Sequence, residues 1–192
     1  MNLPNIGLCG YMRSGKDTVA DYLIAEHHYH RKGFAQALKI EVARGIGCAP
    51  GDLLKEPLKS QIRPVLQVWG TEFRRAVDEN YWVDKAEEQL DIWQNVSSRR
   101  IVFTDVRFWN EINMLRGRGF MIIKIDMSVE DVLVYTEGHG EEREVTLARL
   151  RHRSETEWQQ AEFDATIPSI RGDIDGLLTG IDTVIREYNE RQ

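Results

Sequence analysis

Residues Gly10-Tyr11-Met12-Arg13-Ser14-Gly15-Lys16-Asp17-Thr18 set two glycines either side of four residues and put a lysine directly after the second. Glycines let the main chain approach a bulky anion closely, successive backbone N–H groups of such a loop converge on it, and the lysine adds a positive charge. The chemistry this spacing suits is the gripping of a polyphosphate. Its candidate ligands are Gly10, Met12, Arg13, Ser14, Gly15, Lys16, Asp17 and Thr18, with Lys16 reaching the β- and γ-phosphates. The general pattern asks for Ser or Thr after the lysine, whose hydroxyl holds Mg²⁺; here Asp17 stands in that place and Thr18 follows it. A carboxylate is a hard ligand for Mg²⁺, directly or through water. Asp17 is therefore read as acting through the ion, against the alternative of an aspartate that only complements a helix dipole.

Such a loop works when a strand leads into it and a helix leads out. The apolar run from Asn5 ends at Gly10, and Val19, Tyr22, Leu23 and Ile24 mark one face of a helix that ends near Glu26-His27-His28-Tyr29-His30. Strand, glycine loop and helix in that order make a P-loop. The three histidines with Glu26 have the spacing of a ragged, solvent-facing helix end rather than of a metal site.

The rest of the chain reads as alternating strands and helices. A second strand is expected over 29–34, then a helix from Ala35 to about Gly45 or Gly47, a loop over 49–57, and helical spacing from Leu58 to Val77. Pro64 is expected in a first turn, and Gly70 as a break or bend. Within this stretch Trp69-Gly70-Thr71, followed by Arg74-Arg75, offers an aromatic wall, a close backbone approach and phosphate ligands together. A core tryptophan beside a solvated charged face is the other reading. Asn80 is expected to cap a helix running from Tyr81 through Trp93. Ile101 to Asp105 reads as a short buried strand ending in a carboxylate, the point where an acid of a P-loop protein helps to hold Mg²⁺. Arg107 follows at the carboxyl edge of the sheet, where open α/β folds bind ligands.

A helix ending at Gly117 or Gly119 and a strand over Phe120–Asp126 come next, and Ser128-Val129-Glu130-Asp131 has capping-box form. The polar stretch 136–144 is the candidate mobile lid. Arg149 and Arg153, four apart, share a face if their stretch is helical, and arginines on a closing segment neutralise charge on a moving phosphoryl group. A solvated basic turn is the alternative. Ser154-Glu155-Thr156-Glu157 is read as a second capping box opening a helix through Trp158, residues 164–168 as a last strand, and Asp173 as the cap of a final amphipathic helix. Five short strands alternating with helices imply an α/β fold: a P-loop three-layer sandwich, about five-stranded and mainly parallel, with helices on both faces.

The chain of 192 residues fits one large domain or a domain plus a mobile insert, and the second is favoured. The 25 basic and 31 acidic residues give a net charge of −6, which argues against a nucleic-acid polymer as partner and leaves local arginine clusters for a small anion. No apolar run is long enough to cross a bilayer, and the first strand begins without a signal-like segment, so a cytoplasmic protein with no membrane partner is expected. Cys9 and Cys48, with no C-x-x-C spacing, read as reduced core thiols.

Taken together, Gly10–Thr18, Phe34-Ala35-Gln36-Ala37-Leu38-Lys39, Arg63 to Arg75, Tyr81-Trp82-Val83, Thr104 to Glu111 and His152-Arg153-Ser154-Glu155 resemble the bacteriophage deoxynucleoside monophosphate kinases over nearly the whole chain. Asp after the P-loop lysine is usual in that family. Gln36-Ala37 replaces a frequent Asp-Pro, and Trp109 a common Pro, departures that bear on substrate preference. The resemblance implies an adenylate-kinase-like fold over 1–192, with a helical acceptor-binding region at about 35–98 and a lid at about 128–160. It implies transfer of the ATP γ-phosphate, with Mg²⁺, to a deoxynucleoside 5′-monophosphate by a monomer or homodimer, in the host cytoplasm if phage-encoded. Lys16, Asp17, Asp105, Arg149 and Arg153 are then catalytic, Asp17 and Asp105 hold the metal, and Trp69, Gly70, Arg74, Arg75 and Arg107, with Lys39 and Arg63, hold the monophosphate. A kinase of another small phosphate ester, similar to the phosphomevalonate kinases, and a non-catalytic nucleotide-binding module are the rival readings.

Overall fold

The computed structural model describes residues 3–191, so residues 1, 2 and 192 of the expected domain lie outside the described residues. In chain order the elements are β1 (Asn5–Cys9), α1 (Lys16–His27), β2 (His30–Lys32), α2 (Ala35–Ile46), a 3₁₀ turn (Pro50–Leu54), α3 (Leu58–Gln67), a π-helical stretch (Val68–Arg74), α4 (Arg75–Val77) and α5 (Tyr81–Val96). Then follow β3 (Ile101–Phe103), α6 (Trp109–Gly117), β4 (Phe120–Asp126), α7 (Val129–Glu137), α8 (Arg143–Leu150), α9 (Arg153–Thr156), a 3₁₀ turn (Glu157–Gln160), β5 (Ala165–Pro168) and α10 (Ile174–Glu190). They fall into two compact units, one of the residues up to Lys32 with those from Arg99 onward, the other Gly33–Ser98.

In the first unit all five strands pair in parallel, in the order β2-β3-β1-β4-β5. Alternation along β1 explains the two layers of helices. Ile6 and Leu8 point into a core with Val19, Ala20 and Leu23 of α1 and Leu177, Ile181 and Ile185 of α10. Gly7 faces the other way, where a β-carbon would lie 2.9 Å from Leu115 of α6. Both faces are thus covered, which is why the inner strands β1, β3 and β4 are mainly apolar, whereas the edge strand β2 is His30-Arg31-Lys32 with no buried residue. Asp173 caps α10 as expected, its carboxylate accepting from Gly176 N at 2.8 Å, and Ser128 caps α7 through Asp131 N at 3.0 Å. Among the described residues no helix is long and apolar enough to cross a membrane.

The second unit is helical. From Leu58 to Val77 the chain stays helical but widens into π turns over Val68–Arg74. Pro64 lies inside α3, not in a first turn. Gly70 does not break the helix but lies in its π-helical stretch: it is buried, its carbonyl accepts from Trp82 Nε1 at 2.9 Å, and a β-carbon there would lie 2.7 Å from Leu38. Asn80 makes no side-chain cap; instead Asp78 accepts from the Asn80 N–H at 3.0 Å.

Two further expectations are corrected. The second strand is only His30–Lys32, because its partner β3 is only three residues long. The polar stretch 136–144 contains the end of α7 at Glu137 and the start of α8 at Arg143, and the buried Thr136 hydroxyl bonds the Val132 and Leu133 carbonyls and Thr146. The cap of α9 is His152, whose ring accepts from Ser154 N at 3.2 Å, so Ser154 is already inside the helix.

Candidate phosphate site

The loop between β1 and α1 turns through three left-handed residues in six positions, Gly10 (φ 143°), Arg13 (φ 66°) and Gly15 (φ 94°). Such alternation folds main-chain N–H groups into a concave, anion-seeking surface. Gly10 is required by space as well as by φ, since a β-carbon there would sit 2.5 Å from the Ile125 carbonyl oxygen. The loop is anchored by Met12, buried with Met127, Val132, Leu133 and Leu150, while Arg13 lies over the Tyr135 ring at 5.7 Å. Ser14 is buried and Thr18 half-buried behind the loop.

Lys16 begins α1 and is 7% exposed. Its ammonium donates to Gly10 O (2.8 Å), Tyr11 O (2.5 Å) and Ser14 Oγ (3.4 Å), all neutral oxygens. Burial, assisted by the Arg107 charge, pulls its pKa down to about 8, against the opposing pull of Glu155 and Asp17. A desolvated ammonium stored on carbonyls is poised to exchange them for a more negative partner.

Because β3 pairs directly with β1, with Gly7 opposite Phe103, the chain leaves β3 beside the loop and carries Thr104, Asp105 and Arg107 to the same sheet edge. Asp105 is half-buried and its charge acts on Arg107. Asp17 is exposed, shares Arg31 with Asp21, and lies 3.5 Å from the Arg31 guanidinium. Among the described residues no three His, Cys, Asp or Glu side chains gather to cage a metal. Two carboxylates beside a phosphate loop nevertheless suit Mg²⁺, which takes most of its ligands from water and phosphates.

Glu155 and Glu111 organise this edge, a role that the sequence did not assign to either: Glu155 is read there only as part of a capping box. Glu155, 4% exposed, accepts the Met12 N–H at 2.9 Å and forms an ion pair with Arg107, whose Nη1 also donates to Ser154 O at 3.1 Å. Burial lowers the Arg107 pKa, but Glu155 outweighs it and leaves the guanidinium above its ordinary value. Glu111 accepts the N–H groups of Arg107 (2.7 Å) and Phe108 (3.1 Å). Arg107 is thus fixed at its backbone by one carboxylate and at its tip by another.

Arg149 and Arg153 do not share a helix face, because α8 stops at Leu150 and α9 restarts at Arg153. Arg149 pairs with Glu141 at 2.6 Å; Arg153 pairs with Glu157 at 2.5 Å and lies over the Phe108 ring.

In the second unit the candidate acceptor residues separate. Trp69 is 36% exposed, so it is not a core tryptophan, and it stacks obliquely on Phe73. Arg74 lies over the Trp69, Phe73 and Tyr81 rings and is paired with Glu41. Arg75 is buried and donates to Glu79 O at 3.1 Å, a main-chain bond within its own unit. Lys39 is half-buried on α2, and Arg63 is exposed on α3. Glu41, which gathers Arg74, Trp69 and Tyr81, was not anticipated; nothing in the helical pattern around it distinguishes it from a solvated acid.

With this geometry established, the likeness to solved structures is informative. The protein TT1252 from Thermus thermophilus superposes with a TM-score of 0.60 at 20% identity, over 97% of this chain and 98% of its own. Shikimate kinase from Acinetobacter baumannii, in complex with shikimate, does so with 0.57 at 18%, over 97% and 95%. A gluconokinase from Sinorhizobium meliloti does so with 0.54 at 13%, over 100% and 99%. The fold is that of P-loop kinases. No protein-family model matches the chain, and no curated protein matches it in sequence. Identities this low carry the fold alone.

Proposed function

We propose that the chain transfers the γ-phosphate of ATP to the phosphate of a deoxynucleoside 5′-monophosphate, giving the diphosphate and ADP. The observation that carries this reading is the buried Lys16 ammonium, held by neutral oxygens inside a left-handed loop at the carboxyl end of the central strand. Lys16 and the loop N–H groups bind the β- and γ-phosphates. Asp17 and Asp105 are the residues that would hold Mg²⁺, which when bound neutralises phosphate charge. The acceptor phosphate is already an ionised nucleophile, so the protein has to align it and to spread charge rather than supply a base. Arg149 and Arg153, each on a carboxylate in the ligand-free chain, exchange that partner to meet the transferred group. Arg107 serves the phosphates from its fixed position. Lys39, Arg63, Trp69, Gly70, Arg74 and Arg75 form the acceptor region of residues 35–98, and residues 128–160 the lid.

The choice of a nucleotide acceptor is supported by the sequence resemblance and by the partly exposed Trp69 and Phe73 faces beside Arg74, which suit a base next to its phosphate. A second reading, phosphorylation of a small non-nucleotide substrate, is favoured by the names of the shikimate kinase and gluconokinase neighbours. An ADP-release assay with each deoxynucleoside monophosphate, phosphomevalonate, shikimate and gluconate separates them. Turnover confined to any of the last three overturns the nucleotide reading; ATP binding with no turnover on a broad acceptor panel indicates a binding module.

A further inference from the structure

In the second unit, one carboxylate collects every donor of an anion site. Glu41 Oε1 accepts from Arg74 Nε at 2.9 Å, from Arg74 Nη2, and from the Trp69 indole N–H at 3.2 Å, while Oε2 accepts from the Tyr81 hydroxyl at 3.3 Å. Around the pair, the Arg74 guanidinium lies 5.5 Å from the Trp69 centroid, 5.7 Å from Phe73 and 4.9 Å from Tyr81. A guanidinium fork, an indole N–H and a phenol converging on one carboxylate, beside partly exposed aromatic faces, form a preorganised receptor for an oxyanion. The receptor is filled by the protein's own side chain.

We infer that Glu41 is a specificity-determining internal competitor: it occupies the Arg74 receptor in the ligand-free chain and yields it to the dianionic phosphate of a phosphomonoester, but not to a monoanionic carboxylate. The inference rests on the reading that this unit takes the acceptor's phosphate. A phosphomonoester carries nearly two charges and three strong acceptor oxygens, so it offers Arg74, Trp69 and Tyr81 more than the single charge of Glu41 does. A free carboxylate offers only what Glu41 already supplies, and without the advantage of being tethered. Rejection by a built-in rival is selectivity achieved against the wrong ligand.

The Trp69 indole N–H reports locally, because it donates to Glu41. Its ¹H–¹⁵N resonance in the full chain, assigned with Trp69→Phe, is followed during titration with inorganic phosphate and with acetate at constant ionic strength. In the unmodified chain phosphate moves the resonance and acetate does not. In Glu41→Gln the phosphate midpoint falls about tenfold and acetate now moves the resonance; Glu41→Ala behaves alike, and both gains vanish when Arg74→Gln is added. An unmodified chain that responds equally to both anions, or to neither, overturns the inference, as does a folded Glu41→Gln with unchanged or weaker phosphate affinity. Inorganic phosphate contains no base, so these outcomes are independent of the ADP-release panel. Failure there with success here removes the nucleotide, not the competitor.

Discussion

Glu111→Ala tests how the edge of the candidate phosphate site is held. Its carboxylate is 2% exposed and accepts two main-chain N–H groups, from Arg107 and Phe108, at the start of α6. Phe108 has no side-chain acceptor, so Glu111 supplies the N3 half of a capping box alone. Alanine strands both donors, one of them buried, at about 1–3 kcal/mol each, and removes a negative charge near the positive end of the helix dipole. Relief of the carboxylate's own desolvation offsets part of this, leaving a net loss of about 3 kcal/mol. With a urea slope of about 2 kcal/mol per molar, the unfolding midpoint falls by about 1.5 M. Glu111→Gln keeps an acceptor oxygen and loses only the charge, so its midpoint falls by about 0.5 M. Equilibrium unfolding followed by far-UV circular dichroism measures both. A loss in Glu111→Ala below about 0.5 kcal/mol, or identical curves for the two variants, refutes the claim that this carboxylate carries the turn into α6.

Lys16 has a folded pKa of about 8, below its ordinary 10.5, so its contribution to stability is fully present above the unfolded value and is lost as pH falls through about 8. Lys16→Met is therefore expected to gain about 3 kcal/mol on the unmodified chain between pH 10.5 and pH 7, read from paired denaturation curves, while turnover drops about a hundredfold. A constant difference across that range, or unchanged turnover, contradicts the assignment. Gly10→Ala drives a β-carbon against the Ile125 carbonyl, whereas Gly119→Ala meets open space at φ +73°. Calorimetry is expected to give losses of about 3 and about 1 kcal/mol respectively, and equal losses reject the steric argument. Cys9 is wholly buried, and burial with the nearby Glu111 charge pushes its thiol up to about 12, whereas Cys48 is half-buried. A disulfide reagent at pH 8 is expected to titrate one thiol in the native protein and the second only on unfolding; two rapid equivalents refute the burial of Cys9.

The sheet was legible because its signals are local. Apolar runs bounded by glycines, acids and helix caps leave little freedom of assignment for β1, β3 and β4, whereas β2, His30-Arg31-Lys32, has no apolar run of its own and takes its three-residue length from β3. The conformation of the Gly10–Lys16 loop was legible for the same reason, since glycine spacing and a following lysine act within a few residues. What escaped depends on partners distant in the chain. Glu155 had been read as part of a capping box; its partner Met12 lies 143 residues earlier, and no local pattern discloses that pairing. Arg149 and Arg153 have the spacing of one helix, yet the chain breaks between them because His152 takes the capping role. Pro64 was placed at a helix start on propensity, but the flanking residues of α3 continue the helix through it. Glu41 looked like any surface acid until Arg74, Trp69 and Tyr81, up to 40 residues away, closed on it.

The bond from the Met12 amide to Glu155 sets an order of events in synthesis. A nascent chain that has not yet presented residue 155 possesses the glycines and the lysine but lacks the carboxylate that ties the loop's amide and Arg107 together. Growing polypeptides on the ribosome therefore expose an unfinished loop, whose Met12 amide meets its carboxylate only after residue 155 has been added.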